Sequence, residues 1–173
     1  MQFVESTLGD PARLAEVGRY DHRDPALTAA LDDIAARTVA WTGRPISLIT
    51  LLDGGTQYCV GLHGLPPVVR VGDRVVDRFS VPVRWSFCAP MVRSGHSRVV
   101  GDLRAEPMLA ANPFVTVLGL RGYVGVPLII ESGRVVGSHC LLAPEPITVG
   151  IADILALETG AADALAVLGR HRS

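Results

Sequence analysis

The sequence contains no lysine: all 16 of its basic residues are arginine, set against 17 acidic residues for a net charge of -1. With the two signs balanced and scattered, there is no long-range positive field to draw in phosphate backbones, and nucleic acid is excluded as an expected partner. Arginine in place of lysine throughout is the mark of a GC-rich bacterial genome rather than a chemical signal. Aromatic residues are scarce, at 5%. Cysteine is scarcer still, and Cys59, Cys88 and Cys140 are an odd number without a CxxC pair, which implies neither a secreted disulfide framework nor a standard zinc site. No apolar run approaches the ~20 residues that span a bilayer. The first ten residues lack the basic and then apolar regions of a secretory signal. A cytoplasmic protein with reduced thiols and no membrane partner is expected.

What is present suffices for one core. The chain has 173 residues, 49% of them hydrophobic and 19% charged, and a single domain of this size buries roughly 70% of its unfolded surface. Asp24-Pro25 is a helix start, because the Asp side chain caps an orphan amide and Pro at the first helical position sacrifices no donor in use. Leu27, Leu31, Ile34 and Thr38 follow at helical spacing and Gly43-Arg44-Pro45 ends the run, so a helix is expected over 25–42. Ile46 to Leu52, a turn at Asp53-Gly54-Gly55 and Gln57 to Leu62 form an expected β-hairpin. Residues 64–84 carry Pro66, Pro67 and Pro82 with poor periodicity and read as a long loop or short irregular elements.

Further along, a short helix is expected over Ser86 to Arg93, a short strand over Arg98 to Gly101, and helical turns broken by Pro113 within Glu106 to Leu118. Tyr123 to Ile130 and Val135 to Leu142 are the clearest strand pair, and Thr148 to Gly169 is the closing helix. Strand pairs in the middle with helices at both ends argue for an α+β fold with an antiparallel sheet and helices on one face.

Several segments, in order, resemble the GAF domain, a small-molecule-binding and dimerising sensor module. They are Arg19-Tyr20-Asp21 to Asp24-Pro25, Pro45 to Asp53 with Gln57-Tyr58, Ser86-Phe87-Cys88-Ala89, and Arg98 to Asp102 with Glu106-Pro107 and Asn112-Pro113. Leu120 to Leu128 and Gly133 to Cys140 complete the series, which covers about residues 14–168. The resemblance implies a GAF-like central antiparallel sheet of five or six strands, terminal helices on one face, and a ligand cavity under loops on the other. It divides the chain into an extension (1–13), a single domain (14–170) and a tail (171–173). It points to a stand-alone bacterial member from a GC-rich actinobacterium. It also implies a homodimer through the terminal helices, which the Ala-rich final helix suits, and a small-molecule ligand or a separate signalling protein as partner.

The site residues follow from the same resemblance. Asp102 and Tyr123 sit where pocket polar groups commonly lie in the family, against the alternatives of a turn cap and a core aromatic. Phe87, Phe114 and Arg121 could line or gate the cavity. Cys88 begins a short helix whose dipole could lower its pKa, or it packs as a small hydrophobe. His139 and Cys140 should point to opposite sides of a strand and form no dyad. His139 needs a polar partner, whether a ligand or the core itself.

No covalent bilin is expected, because the segment Glu106 to Leu120 has no cysteine; no cyclic nucleotide, because the Asn-Lys…Phe…Asp-Glu signature of those members is missing. No metal is expected, because His22, His63, His96, His139 and His171 show neither HxxxH nor HxxE spacing. The main expectation is a non-catalytic sensor passing its signal through dimer helices. A thiol enzyme resembling free methionine-R-sulfoxide reductase and a pure dimerisation scaffold are the alternatives.

Overall fold

A computed structural model describes residues 2–173. Helix α1 (Pro11–Val17) starts at Asp10-Pro11, where the Asp10 carboxylate accepts from the amides of Ala12 and Arg13. Helix α2 (Pro25–Thr42) repeats the device at Asp24-Pro25 and ends at Gly43, whose φ of 73° is the left-handed turn that glycine allows. The expected span of α2 is matched. The expected boundary at residue 14, by contrast, falls inside α1. That helix has seven residues, too few for periodicity to register, and its most buried residue is not apolar but Arg13.

Arg13 is fully buried and spends its donors on backbone carbonyls. Nη1 donates to Leu52 O at 2.6 Å and Val135 O at 3.4 Å, Nη2 to Leu8 O at 2.6 Å, and Nε to Thr7 O at 3.3 Å. Burial lowers its pKa while Asp53 and Asp10 pull it back up. A guanidinium is tolerated inside only with such partners.

The strands are β1 (Ile46–Leu52), β2 (Thr56–His63), β3 (Val68–Val71), β4 (Arg74–Asp77) and β5 (Val81–Pro82). Then come α3 (Ala89–Ser94), β6 (Arg98–Val100), α4 (Pro113–Thr116), β7 (Gly122–Ile129), β8 (Val135–Ala143) and α5 (Ile151–Arg170). Six strands form one sheet in the order β5-β2-β1-β8-β7-β6, and β3 and β4 form a separate two-stranded sheet. Every pairing is antiparallel. Both expected hairpins are present, and β1 against β8 joins them at the centre of the sheet.

Alternation along β1 and β8 divides the core in two. Ile49, Leu51 and Leu141 join Leu27, Leu31 and Ile34 of α2 and Leu157, Ala164 and Leu168 of α5 in one buried cluster. Leu48, Leu52, Cys140 and Leu142 join a second cluster with Phe87, Met91 and Tyr123. Each fully buried leucine contributes about 1.5–3 kcal/mol of transfer free energy, and both clusters hold several.

His139 sits on the helix face. Its Nδ1 lies 3.0 Å from Leu157 O, which can only accept, so Nδ1 carries the proton and Nε2 accepts from Ser47 Oγ at 3.1 Å; Thr38 Oγ1, which donates to Ile34 O at 3.0 Å, lies 3.3 Å from the same nitrogen. A Cβ on Gly160 would stand 2.3 Å from the ring, so the glycine is what lets α5 lie over the histidine. Burial pushes the imidazole pKa down to about 4.

Candidate functional site

The face opposite α2 and α5 is roofed by short pieces. Residues 64–84, read from the sequence as loop, contain the β3-β4 hairpin turning at Gly72, where φ is 61°. Its arms are four residues each, and Val68 and Val75 are exposed, so alternation is too brief and too imperfect to show. Arg78 pins this segment down: Nη2 reaches Asp32 Oδ1 of α2 at 2.6 Å, and Nε donates to Cys59 O at 2.8 Å. The second roof segment holds α4, which Pro113 starts rather than breaks. Asn112 Oδ1 accepts from Phe114 N at 2.9 Å, and its Nδ2 donates to Trp85 O at 3.1 Å, tying the two roof segments together.

Under this roof lies a cavity of about 60 Å³. Phe87, Cys88, Phe114 and Tyr123, all expected from the sequence, line it. Phe87 meets Tyr123 edge-on at 5.6 Å between centroids, and Phe114 stands edge-on to both Phe87 at 6.3 Å and Trp85 at 5.9 Å. Trp85 is flanked by Arg74 at 5.4 Å and Arg84 at 5.5 Å from its ring centre. The aromatics form a tilted wall rather than a stack, the arrangement their quadrupoles prefer.

The remaining expected residues lie elsewhere. Asp102 and Arg121 do not line the cavity but form an ion pair with each other, at 2.6 Å between Nη2 and Oδ2. Asp102 also accepts from Arg104 N, the turn-cap alternative raised above. The Arg121 hydrogen bond holds its carboxyl below the usual range. His139 is on the wrong side of the sheet for this cavity, and its polar needs are met by Thr38, Ser47 and Leu157. It is the satisfied core histidine, not a ligand contact.

Two further cysteines and two polar residues belong to the cavity or its rim. Cys59 on β2 and Cys140 on β8 both line it beside Cys88, although the three come from separate segments. Register explains the convergence: Leu48 faces Cys140 across β1-β8, and Thr50 faces Cys59 across β1-β2 beside a bulge. Gln57 Oε1 accepts from Ser86 Oγ at 2.5 Å, its Nε2 lies 3.7 Å from Cys59 Sγ, and Ser86 Oγ accepts from Cys88 N at 3.1 Å. The cue available in the sequence was the His139-Cys140 alternation: with the histidine toward the helices, the cysteine must face the other way.

The three buried thiols are not equivalent. Burial pushes Cys59 up to about 12. A hydrogen bond from Cys140, outweighing burial and aided by Ser138, Tyr123 and the charge of Arg98, brings Cys88 down to about 7, while Cys140 rises well above the ordinary thiol value. Tyr123 Oη lies 3.1 Å from Cys88 Sγ. Burial keeps that phenol protonated well beyond its usual range. These side-chain hydrogen bonds lower Cys88, which stands at the N-cap of the six-residue α3. Among the described residues no group of three or more His, Cys, Asp or Glu side chains is placed to hold a metal ion. Nor is any helix among them long and apolar enough to cross a membrane.

No family model matches the chain. A cyclic di-GMP phosphodiesterase of Pseudomonas aeruginosa is 28% identical over 136 residues, which are 78% of this chain and 21% of that protein, so the chain spans about a fifth of this relative. Among solved structures, the GAF domain of an Acinetobacter phosphoenolpyruvate-protein phosphotransferase superimposes with a TM-score of 0.64 at 16% identity, covering 92% of this chain and 89% of that one. The free methionine-R-sulfoxide reductase of Neisseria meningitidis, solved with its substrate, gives a TM-score of 0.62 at 19% identity, covering 98% and 95%. At such identities likeness speaks for architecture. With its antiparallel six-stranded sheet, its helices on one face and its cavity on the other, the chain has a GAF-like fold.

Proposed function

We propose that the chain works as a sensor domain in cytoplasmic signalling, taking a small molecule in the cavity and passing the change through α2 and α5. The observation that supports this most is the cavity itself: an apolar chamber with a few convergent polar groups, roofed by short segments rather than by a continuous element. At about 60 Å³ it holds only a few atoms as it stands, against the ~300–1,000 Å³ of most ligand pockets, so a larger ligand would enter as the roof lifts. Trp41, Ile151 and Leu155 are exposed apolar residues on α2 and α5, and the small Ala156 and Gly160 lie between those helices. That surface suits pairing with a second copy or docking on a separate signalling protein.

Native mass spectrometry on reduced protein tests this reading, followed by thermal unfolding with any compound it identifies. A ligand of the folded state present at a hundredfold excess over Kd adds about 2.7 kcal/mol of stability. An unliganded monomer that no small molecule stabilises would end it. A second reading, thiol catalysis on free methionine sulfoxide, is favoured by the gathering of Cys59, Cys88 and Cys140 around one cavity. Consumption of that compound by the reduced chain, lost on cysteine substitution, separates the two.

A further inference from the structure

The chain has three cysteines, and folding brings all three to the same small chamber. Within it two of them are a pair. Cys88 and Cys140 line the same wall of it, the titration of each is set chiefly by the other, and the Tyr123 hydroxyl meets the Cys88 sulfur at 3.1 Å. Tyr123 reaches it because residue 125 is glycine: a Cβ there would stand 2.5 Å from the Tyr123 hydroxyl. Cys59 is engaged by Gln57 instead. The helix-face packing uses none of these groups.

We propose that Cys88 and Cys140 are a redox pair for a small hydroperoxide, with hydrogen peroxide as its simplest form, Cys88 being the attacking sulfur and Cys140 the resolving one. The size of the chamber selects the oxidant. A cavity of about 60 Å³ has room for hydrogen peroxide, with two heavy atoms, more readily than for an amino-acid sulfoxide. The proposal uses the cavity of the sensor reading but not reversible binding, so each can fail without the other.

The chemistry balances within the pair and the oxidant. Cys88 sulfur attacks one peroxide oxygen, an S–O bond forms and the O–O bond breaks. The departing hydroxide takes the proton that Cys88 has given up and leaves as water. Cys140 sulfur then attacks the Cys88 sulfenic acid, the S–S bond forms, the S–O bond breaks, and that hydroxide leaves as a second water with the Cys140 proton. Two thiols are oxidised to one disulfide and one peroxide is reduced to two waters. The lowered Cys88 supplies the thiolate near neutrality, and the raised Cys140 stays protonated until the second step.

The test is a peptide map of the reduced full chain after stoichiometric hydrogen peroxide and alkylation of the remaining thiols. The expected result is a Cys88–Cys140 linked peptide with Cys59 alkylated. Cys140→Ser should stop at a sulfenic acid on Cys88 that dimedone captures, Cys88→Ser should abolish the link, and Cys59→Ser should leave it intact. Circular dichroism checks that each variant is folded, and the wild-type map decides the matter without any of them. Three fully alkylatable thiols after peroxide, or a link through Cys59, would overturn the pair. Equal oxidation by free methionine sulfoxide would overturn the small-oxidant assignment. A chain that forms the disulfide yet retains no ligand in native mass spectrometry keeps this inference and loses the sensor reading, and the reverse result does the opposite.

Discussion

The two faces of the sheet share their strands yet are covered in opposite ways. On one, two long helices lie across Ile49, Leu51 and Leu141, and the polar groups between them, Thr38, Ser47 and His139, satisfy one another. On the other, the cover is assembled from a small hairpin, two short helices and turns, held by local tethers such as Asn112 to Trp85 and Arg78 to Asp32 and Cys59. The helix face packs into one continuous apolar cluster. The roofed face keeps a chamber and collects the reactive side chains, because short, individually tethered pieces leave gaps that continuous helices fill. Rigidity and reactivity are thus separated by the thickness of one sheet.

The contrast should be largest in stability. Leu157→Ala, on the helix face, should cost about 2–5 kcal/mol in urea unfolding, whereas Leu118→Ala, at the half-buried cavity wall, should cost about 1 kcal/mol or less. Equal costs would break the comparison. Acid comes next. His139 titrates at about 4 folded against 6.5 unfolded, so protonation favours the unfolded chain. The stability it protects is whole above pH 6.5 and falls by about 3 kcal/mol as pH drops towards 4. His139→Gln should flatten that part of the pH-stability profile, and an unchanged slope would assign it elsewhere.

A smaller effect is confined to the roofed face. Alkylation of Cys88 should accelerate as pH rises through about 7, where its thiolate forms. Gly125→Ala, which displaces the Tyr123 hydroxyl, should move that midpoint upward. The smallest effect should come from Arg121→Ala, which breaks the ion pair with Asp102 outside the cavity: mass-spectrometric ligand retention and Cys88 reactivity should both stay as in the wild type.

Where a residue's role follows from its neighbours in sequence, it was legible. Asp24-Pro25 announces α2 because capping and helical spacing agree, and Asp53-Gly54-Gly55 announces a hairpin because its arms are long enough to alternate. The identical capping pair at Asp10-Pro11 is silent because only Leu14 and Val17 follow it at helical spacing before Gly18 ends the helix. The β3-β4 hairpin lies hidden among prolines for a similar reason. Of the residues named from the sequence, Phe87, Cys88, Phe114 and Tyr123 line the cavity. Asp102 and Arg121 lie outside its lining, each finding its partner in the other. Cys59 and Cys140 escaped notice because three lone cysteines on three segments carry no spacing; only strand register brings them together.

Arg13 has a kinetic consequence. Its guanidinium joins carbonyls 39 and 122 residues away in sequence, at the adjoining ends of two neighbouring strands. Those acceptors come together only once the central strands have paired, so the N-terminal helix is expected to dock late in folding. A contact made that late holds the native state in place without hastening its arrival. Arg13→Met should therefore quicken unfolding in stopped-flow measurements and leave the refolding limb where it was, making this buried cation a latch on the finished fold rather than a guide to it.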